Sequence, residues 1–326
     1  MKIISVVGDS HTWGQGVGAE GYFTPGLYGG DLRMNSFEFP FYVNLIREYV
    51  NARTGSVSVD YCRDKLVSLC ESFEDQFGII DEKPLKITEK FGFCRLFFVA
   101  EKQDTTISIS INSKLCKEIT YKAMDMGMNS RIVMLNIFAD NDGVNTLEIL
   151  AKDNRALIQR MEFYSGEYAV VNCGVGSCPV KKYNDVYLDH YVGELCPHSI
   201  IFEGCTINDW LADGSSSEYY DNIIALLDRM KALTPNIICH TPFPIGGNQY
   251  ANDGKNLYLD FIDTMRNAVK DTELTMVDTY AIIEDAMRNI PENGRHAFLY
   301  ADNWHPNATG NFLYARHIIP ELEKIL

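Results

Sequence analysis

The sequence predicts a doubly wound α/β domain interrupted by an antiparallel β segment. Three observations carry that expectation. Five short runs are apolar almost throughout, as strands buried on both faces of a parallel sheet are: Ile3–Val7, Tyr168–Asn172, Ser199–Phe202, Asn236–Cys239 and Thr275–Asp278. Stretches long enough for crossover helices separate the last four, and strand–helix alternation with short connections builds such a sheet. The first two runs, by contrast, lie far apart, and the chain between them changes from helical to two-residue periodicity.

Taken in order, Ile3–Val7 is followed by a helix near Pro40–Asn51. The intervening β segment is clearest at Thr105–Ile111, where Ile107, Ile109 and Ile111 alternate with serines. Cys94–Ala100, Arg131–Phe138, Thr146–Ala151 and Ala156–Phe163 are further β-like runs, set apart by turn-rich pieces such as Ala139–Asn145. Several short strands at this spacing predict a small antiparallel sandwich. In Ser113–Asn129 periodicity does not separate strand from helix. After Tyr168–Asn172 the helical pattern returns in Glu218–Leu233, with Ile223, Leu226, Leu227 and Met230 in register and Pro235 as a stop. Leu257–Val269 repeats it with Phe261, Ile262 and Met265. Asn311–Leu326 closes the chain with a helix broken by Pro320. The expected domains are therefore a discontinuous α/β domain, 1–55 and 168–326, and an inserted β-sandwich, 56–167.

The chain has 326 residues, of which 46% are hydrophobic and 22% charged, within the range of folded globular proteins. Lys plus Arg number 29 against 44 Asp plus Glu, a formal charge of −15. Such a surface repels phosphate backbones and anionic lipid, so neither nucleic acid nor a membrane is expected as a partner. No apolar run approaches the roughly 20 residues that cross a bilayer. The opening MKIISVVGDSHTW is too short for a signal-peptide core, so the expectation is a cytoplasmic protein, or a secreted one if a leader has been removed. The nine cysteines are odd in number and form no Cys-x-x-Cys, which predicts buried free thiols. The seven histidines show no metal-ligand spacing. No metal and no cofactor are expected.

Ligands of an open parallel sheet gather beyond the carboxyl ends of its strands. There the sequence places Gly8-Asp9-Ser10-His11-Thr12-Trp13, then Asn172-Cys173-Gly174-Val175-Gly176-Ser177, then Glu203 to Trp210, and, before the last helix, Asp302-Asn303-Trp304-His305-Pro306. These residue types fit acyl transfer. A serine hydroxyl becomes nucleophilic when an imidazole takes its proton, here Ser10 and His305. A carboxylate, here Asp302, orients the imidazole and stabilises its charged form. The backbone N–H of Ser10, an N–H of the Gly174–Ser177 turn (Gly176 or Ser177) and the Asn208 amide are candidate donors to an oxyanion. Losing one such donor costs on the order of 3 kcal/mol in other hydrolases. The three tryptophans, Trp13, Trp210 and Trp304, sit beside these blocks and either pack the sheet edge or wall a substrate pocket; Asp9, His11 and His240 are further pocket candidates.

These four blocks resemble those of the SGNH hydrolase superfamily, the GDSL esterases and lipases. Gly8-Asp9-Ser10 is similar to its first block, with Ser10 as nucleophile. Asn208-Asp209 is similar to its third, and Asp302-x-x-His305 to its last, which supplies acid and base. The resemblance covers 1–51 and 168–326. It implies a flavodoxin-like three-layer fold with a five-stranded parallel sheet in order 2-1-3-4-5, and a jelly-roll module for the inserted segment of the kind that carbohydrate esterases carry. Two positions depart from the pattern: Ser177 and Thr206 stand where the family has glycine.

A dinucleotide site is the competing motif, because Gly16 to Gly21 matches G-x-G-x-x-G. The fingerprint needs its glycines directly between a strand and a helix. Here Thr24-Pro25-Gly26 follows instead. The expected activity is hydrolysis of a short acyl ester, such as acetyl, on a small-molecule or glycan substrate. Two alternatives are acyl transfer to a sugar or other alcohol at the same site, and glycan binding by the insert beside an inactive scaffold.

Overall fold

In the computed structural model the described residues are 1–17, 36–62, 65–66, 68–70, 72–74, 77–81, 83–100, 103–121, 132–212, 214–245, 251–252, 256–291, 294, 299–302 and 304–326. The chain opens with β1 (Lys2–Val7), the single turn α1 (Ser10–Trp13) and α2 (Tyr42–Thr54). An antiparallel stretch follows: β2 (Val57–Cys62), β3 (Ser72–Glu74), β4 (Phe77–Ile80), β5 (Leu85–Val99), β6 (Thr105–Ile111), β7 (Lys114–Tyr121), β8 (Ile132–Ala151) and β9 (Ala156–Ser165). The remainder alternates again. It comprises β10 (Tyr168–Asn172), short helical turns over 180–195, β11 (Ser199–Glu203), α3 (Thr206–Leu211), α4 (Ser216–Leu233), β12 (Ile237–His240), the short pair β13 (Ala251–Asn252) and β14 (Asn256–Leu257), α5 (Tyr258–Asp271), β15 (Thr275–Val277), α6 (Thr279–Met287) and α7 (Ala308–Leu322). Two compact units result. One holds Met1, the described part of Phe23–Phe37 and Val50–Ala169; the other holds the described parts of Lys2–Tyr22, Glu38–Tyr49 and Val170–Leu326.

The second unit is an α/β layer structure. Its five-stranded sheet runs in the order β10-β1-β11-β12-β15, and β1 with β11, β11 with β12 and β12 with β15 pair in parallel. Ile4, Val6, Val170, Val171, Ile200, Ile201, Phe202, Ile237 and Ile238 are all buried. Burial of each such side chain contributes about 1.5–3 kcal/mol, so the all-apolar runs can only sit inside. From β1 the chain goes first to β10 on one side and then returns to β11 on the other. The carboxyl ends of β1 and β11 therefore flank the point where strand order reverses, which is where such sheets open a crevice.

Helix ends shift from the sequence expectation for local reasons. The helix expected from Glu218 begins at Ser216, because the Ser215 hydroxyl caps it by accepting from Glu218 N at 3.1 Å. The last helix begins at Ala308, because Asn307 Oδ1 accepts from Thr309 N and Gly310 N. It also runs through Pro320 to Leu322, since a proline in the final turn removes only one helical hydrogen bond. The helix Thr279–Met287, capped by Asp278, was not legible as a periodic pattern.

The first unit carries one eight-stranded antiparallel sheet, β3-β4-β9-β5-β8-β6-β7, with β2 added to β9. The expected strand Thr105–Ile111 is present with those bounds, and its three isoleucines are buried. Lys114–Tyr121 resolves the ambiguous stretch as strand; 122–129 lie outside the described residues. Two expectations change. Cys94–Ala100 is the second half of a longer strand. The described part of Arg131–Phe138, from Ile132, and Thr146–Ala151 belong to a single strand, with the turn-rich piece inside it. In the β5–β8 register Phe91 pairs with Gly143 and Phe93 with Phe138, so residues 139–142 bulge opposite Gly92. Asn145 Nδ2 holds the bulge by donating to Phe91 O at 2.7 Å. One face of the sheet is the apolar core of Leu96, Phe98, Ile109, Ile149 and Phe163. On the other, Arg160 pairs with Glu162 at 2.7 Å, both buried.

Candidate active site

All residues of the site belong to the α/β unit. Strand β1 ends at Val7, and the chain turns at Gly8, where a Cβ would stand 2.1 Å from Thr12 Oγ1 and 2.9 Å from Glu203 Cβ. Only glycine allows so close an approach. Asp9 then caps α1, its Oδ1 accepting from His11 N at 3.0 Å. Ser10 follows as the first residue of the helical turn, almost wholly buried.

The loop before α7 brings the other two members of the predicted triad. His305 Nε2 lies 3.0 Å from Ser10 Oγ, and His305 Nδ1 lies 2.8 Å from Asp302 Oδ2. Asp302 Oδ1 accepts from the main-chain N–H groups of Trp304 (2.6 Å) and His305 (2.7 Å). Ser10 and His305, 295 positions apart, thus meet with the imidazole between hydroxyl and carboxylate. Burial works to raise the Asp302 carboxyl, but the His305 hydrogen bond and charge and the two main-chain donors hold it down at about 2. Burial pushes the His305 imidazole below its ordinary value; Asp302 pulls against that, and the charge of His11 adds to it. The resting site is therefore an ionised carboxylate beside a neutral imidazole, ready to accept a proton from Ser10.

The candidate oxyanion donors are placed as follows. Asn208 stands in α3, and its Nδ2 donates to Asp9 Oδ2 at 2.7 Å. An amide carries two N–H donors, so this bond fixes the amide plane and leaves the second N–H for another acceptor. In the β10 turn, Gly174 N donates to Asn172 Oδ1 at 2.8 Å and Val175 N to Gly8 O at 3.0 Å. Asn172 Nδ2 donates in turn to Thr12 O. Two N–H groups of the turn are thus committed to its own structure, and the next in line are those of Gly176 and Ser177. Ser177 adopts φ +55°, the left-handed region that suits the family's glycine at this position. Thr206, the other departure, joins its hydroxyl to Tyr219 OH at 2.6 Å.

The remaining candidates divide. Trp13 lies over Gly176, whose Cβ would come 3.1 Å from its ring. Trp304 is half-buried and faces Trp210 at 6.4 Å, while Trp210 is buried against Tyr258 at 5.4 Å and belongs to the packed interior. His240 is fully buried between the rings of Tyr42 (5.4 Å) and Tyr314 (5.2 Å), where burial lowers its proton affinity. His11 is buried too, but it reaches the triad: its Nε2 lies 2.8 Å from Trp304 O, and its ring centroid 5.5 Å from that of His305. Gly16 packs against His305; Gly18 to Gly21 of the same run, Thr24-Pro25-Gly26 and Asn303 lie outside the described residues.

Beneath the nucleophile is a polar network that the motifs did not announce. Glu203, the last residue of β11, lies with Oε1 2.8 Å from His11 Nδ1 and accepts from Thr12 Oγ1 through Oε2 at 2.8 Å. Thr12 Oγ1 also meets Tyr42 OH at 2.6 Å. Burial would push the His11 imidazole down, but Glu203 and Asp9 overcome it and raise it to about 9. Burial raises Glu203 as well, and His11 outweighs it, so this carboxyl lies below its usual value. Asp9 is pushed up to about 7, by burial first and by Glu203 second. Asp9, His11 and Glu203 offer three donor atoms within 4.8 Å of one another. In this arrangement the His11 nitrogen aimed at Glu203 is taken up by a hydrogen bond. Asp209 is a further buried carboxyl, raised to about 7 by burial, and accepts from Val180 N at 2.8 Å. The one sequence signal for Glu203 is a carboxylate ending an otherwise apolar strand.

All nine cysteines are free, and Cys94, Cys173, Cys178, Cys205 and Cys239 are buried. Among the described residues no helix is long and apolar enough to cross a membrane.

Solved structures similar to this chain include the following. A peptidoglycan O-acetylesterase is similar over 100% of this chain and 91% of its own, at 9% identity and a TM-score of 0.54. An acetylxylan esterase from Geobacillus stearothermophilus is similar over 48% of this chain and 72% of its own, at 19% identity and a TM-score of 0.40. A GDSL-like lipase from Parabacteroides merdae is similar over 48% and 73%, at 17% identity and a TM-score of 0.41. At such identities the likeness is one of fold, and the first match carries it. No family model matches the chain, and no curated protein does.

Proposed function

We propose that this chain is a serine ester hydrolase that removes a short acyl group, such as acetyl, from a carbohydrate-like alcohol. The observation that carries the reading is the Ser10–His305–Asp302 line, with successive separations of 3.0 and 2.8 Å. Ser10 Oγ attacks the acyl carbon while its proton passes to His305 Nε2. The resulting oxyanion is met by the N–H of Ser10, that of Gly176 or Ser177, and the Asn208 amide. Collapse breaks the C–O bond to the alcohol, which leaves with the proton from His305 and gives acyl-Ser10. Water then attacks and delivers its proton to the same nitrogen; the acyl C–Oγ bond breaks, Ser10 Oγ takes that proton back from His305, and the carboxylic acid is released. Asp302 stays ionised throughout and stabilises the imidazolium.

The substrate class is supported by the whole-chain fold match to a peptidoglycan O-acetylesterase. The sheet order supports assigning the α/β domain, 1–55 and 168–326, to the flavodoxin-like kind. We assign 56–167 to an inserted jelly-roll-like module, a reading supported by its antiparallel strands. The test is hydrolysis of p-nitrophenyl acetate and of an O-acetylated oligosaccharide by the wild type and by Ser10→Ala. Turnover that falls about a thousandfold or more in the variant is expected. Equal background rates in both proteins, on both substrates, would overturn the reading.

A further inference from the structure

His11 follows the nucleophile in sequence, and its side chain is wholly buried. Both of its ring nitrogens face acceptors. Nδ1 is 2.8 Å from a carboxylate oxygen of Glu203, and Nε2 is 2.8 Å from the carbonyl oxygen of Trp304. A carbonyl oxygen has no proton to give, and a carboxylate that also accepts from Thr12 Oγ1 is an acceptor at both oxygens. A neutral imidazole has one N–H and would leave one of these contacts as two lone pairs facing each other inside the protein. With Glu203 ionised, the form that the charge and hydrogen bond of His11 favour, only the doubly protonated ring satisfies both.

We propose that His11 is a positioning residue, an imidazolium at neutral pH that ties Glu203 of the central sheet to the main chain at Trp304 and so fixes the loop bearing Asp302 and His305. The proposal rests on the esterase reading of Ser10, Asp302 and His305 for its catalytic meaning. Mechanically, the loop is gripped from two sides. The N–H groups of Trp304 and His305 are held by Asp302, and the carbonyl of Trp304 is held by His11. Because Glu203 terminates β11, the grip is referred to the rigid sheet, the kind of support that keeps a catalytic group within a fraction of an ångström.

The same cation acts on the base electrostatically. Its ring centroid is 5.5 Å from that of His305, so it opposes protonation of the resting base and keeps it competent at lower pH. The groups around it are Glu203 at the end of β11, Asp9 in its own turn, Asp302 and His305 in the loop, and Tyr42 and His240 from α2 and β12, which adjoin Glu203. Thr12 joins these groups through Glu203, which also explains a threonine two residues after the nucleophile.

The direct test needs neither a variant nor turnover. Nitrogen-15 spectra of the histidines in the wild-type protein at pH 7 are expected to show both His11 ring nitrogens protonated, with titration only near pH 9. A neutral tautomer of His11 at pH 7 overturns the proposal. The second arm is His11→Gln, with the His305 ring titrated by the same spectra and the acid limb of kcat/KM recorded on p-nitrophenyl acetate. Losing a unit charge at this separation in a medium of moderate effective dielectric is expected to move the His305 midpoint up by about one to two pH units. A folded His11→Gln protein whose His305 midpoint is unmoved overturns the proposal; if the variant does not fold, the wild-type spectra decide. Absence of esterase activity together with a doubly protonated His11 would defeat the hydrolase reading instead, so the two failures are distinguishable.

Discussion

Gly16 offers a way to move the catalytic base without touching it. The residue holds φ +91°, and a Cβ built there would stand 2.8 Å from His305 Cβ and 3.1 Å from Ala301 Cβ. Ordinary contact begins near 3.4 Å, so in Gly16→Ala the His305 Cβ must retreat by about 0.6 Å. Carried to the ring, that retreat stretches the Ser10 Oγ–His305 Nε2 contact from 3.0 Å to as much as about 3.6 Å, beyond useful proton-transfer range. A misplacement of about 1 Å costs about a hundredfold in rate, so about 0.6 Å corresponds to about tenfold. Alanine at positive φ adds backbone strain of about 1–2 kcal/mol, which lowers stability but not the turnover of the folded fraction. Gly55→Ala isolates that second effect, because Gly55 has φ +71° and nothing within 4 Å of its built Cβ. The assay is steady-state hydrolysis of an acetyl ester beside thermal unfolding of both variants. Gly16→Ala is expected to lose about tenfold in kcat with KM little changed, while Gly55→Ala loses stability alone. A Gly16→Ala enzyme with kcat within about twofold of wild type would refute the reasoning that this contact sets the position of His305.

Other outcomes follow from the same geometry. Asp302→Asn removes the charge and frees the imidazole tautomer, so kcat should fall about 10³–10⁴-fold with the circular dichroism spectrum unchanged; a loss below tenfold would deny Asp302 its orienting role. His305 must be neutral to act, and burial lowers its proton affinity. The acid limb of kcat/KM should therefore have its midpoint below 6.5, with activity kept above it and lost below; a midpoint at 7 or higher would contradict the assignment. Asn208→Ala should reduce kcat about 10²–10³-fold with little change in KM, read on the same ester. Because the folded-state Asp302 carboxyl is depressed from 3.8 to about 2, its contribution to stability is present above pH 3.8 and fades as pH falls through 2. Acid unfolding of wild type and Asp302→Asn should converge over that window.

The parts of this site that sequence discloses are those whose geometry is local. Asp302 and His305 are three residues apart, and Asp302 holds the two N–H groups that follow it, so a short turn suffices to aim one at the other. Gly8, Asp9 and Ser10 form a strand end, a turn and a helix cap in direct succession. The five strands are legible because burial on both faces leaves few polar positions, and their helices because a 3.6-residue period survives in the apolar residues. The β segment was less so. Its two longest strands cross a bulge made of turn residues, and Ala139–Asn145 has the composition of a loop while lying within a paired strand. Only the register with β5 reveals that Gly92 faces four residues of β8.

Glu203 shows where reading along the chain runs out. Its own run marks no role: the strand before it is apolar, Gly204 and Cys205 only link it to α3, and the legible signal lies further on at Asn208 and Asp209. Its meaning comes from the parallel register that sets β11 beside β1, which delivers its carboxylate under Gly8, to Thr12 and His11. That placement also accounts for two residues of the first block at once. Gly8 is required because Glu203 and Thr12 crowd its α-carbon, and Thr12 is required because its hydroxyl completes the carboxylate's shell. A block that reads as a linear motif is thus in part the imprint of a residue some 190 positions away. The consequence is directional: substitutions at Glu203 should be felt at Asp9, His11 and Thr12 before they are felt at Ser10, which meets the network through Asp9 and His11 beside it and through His305.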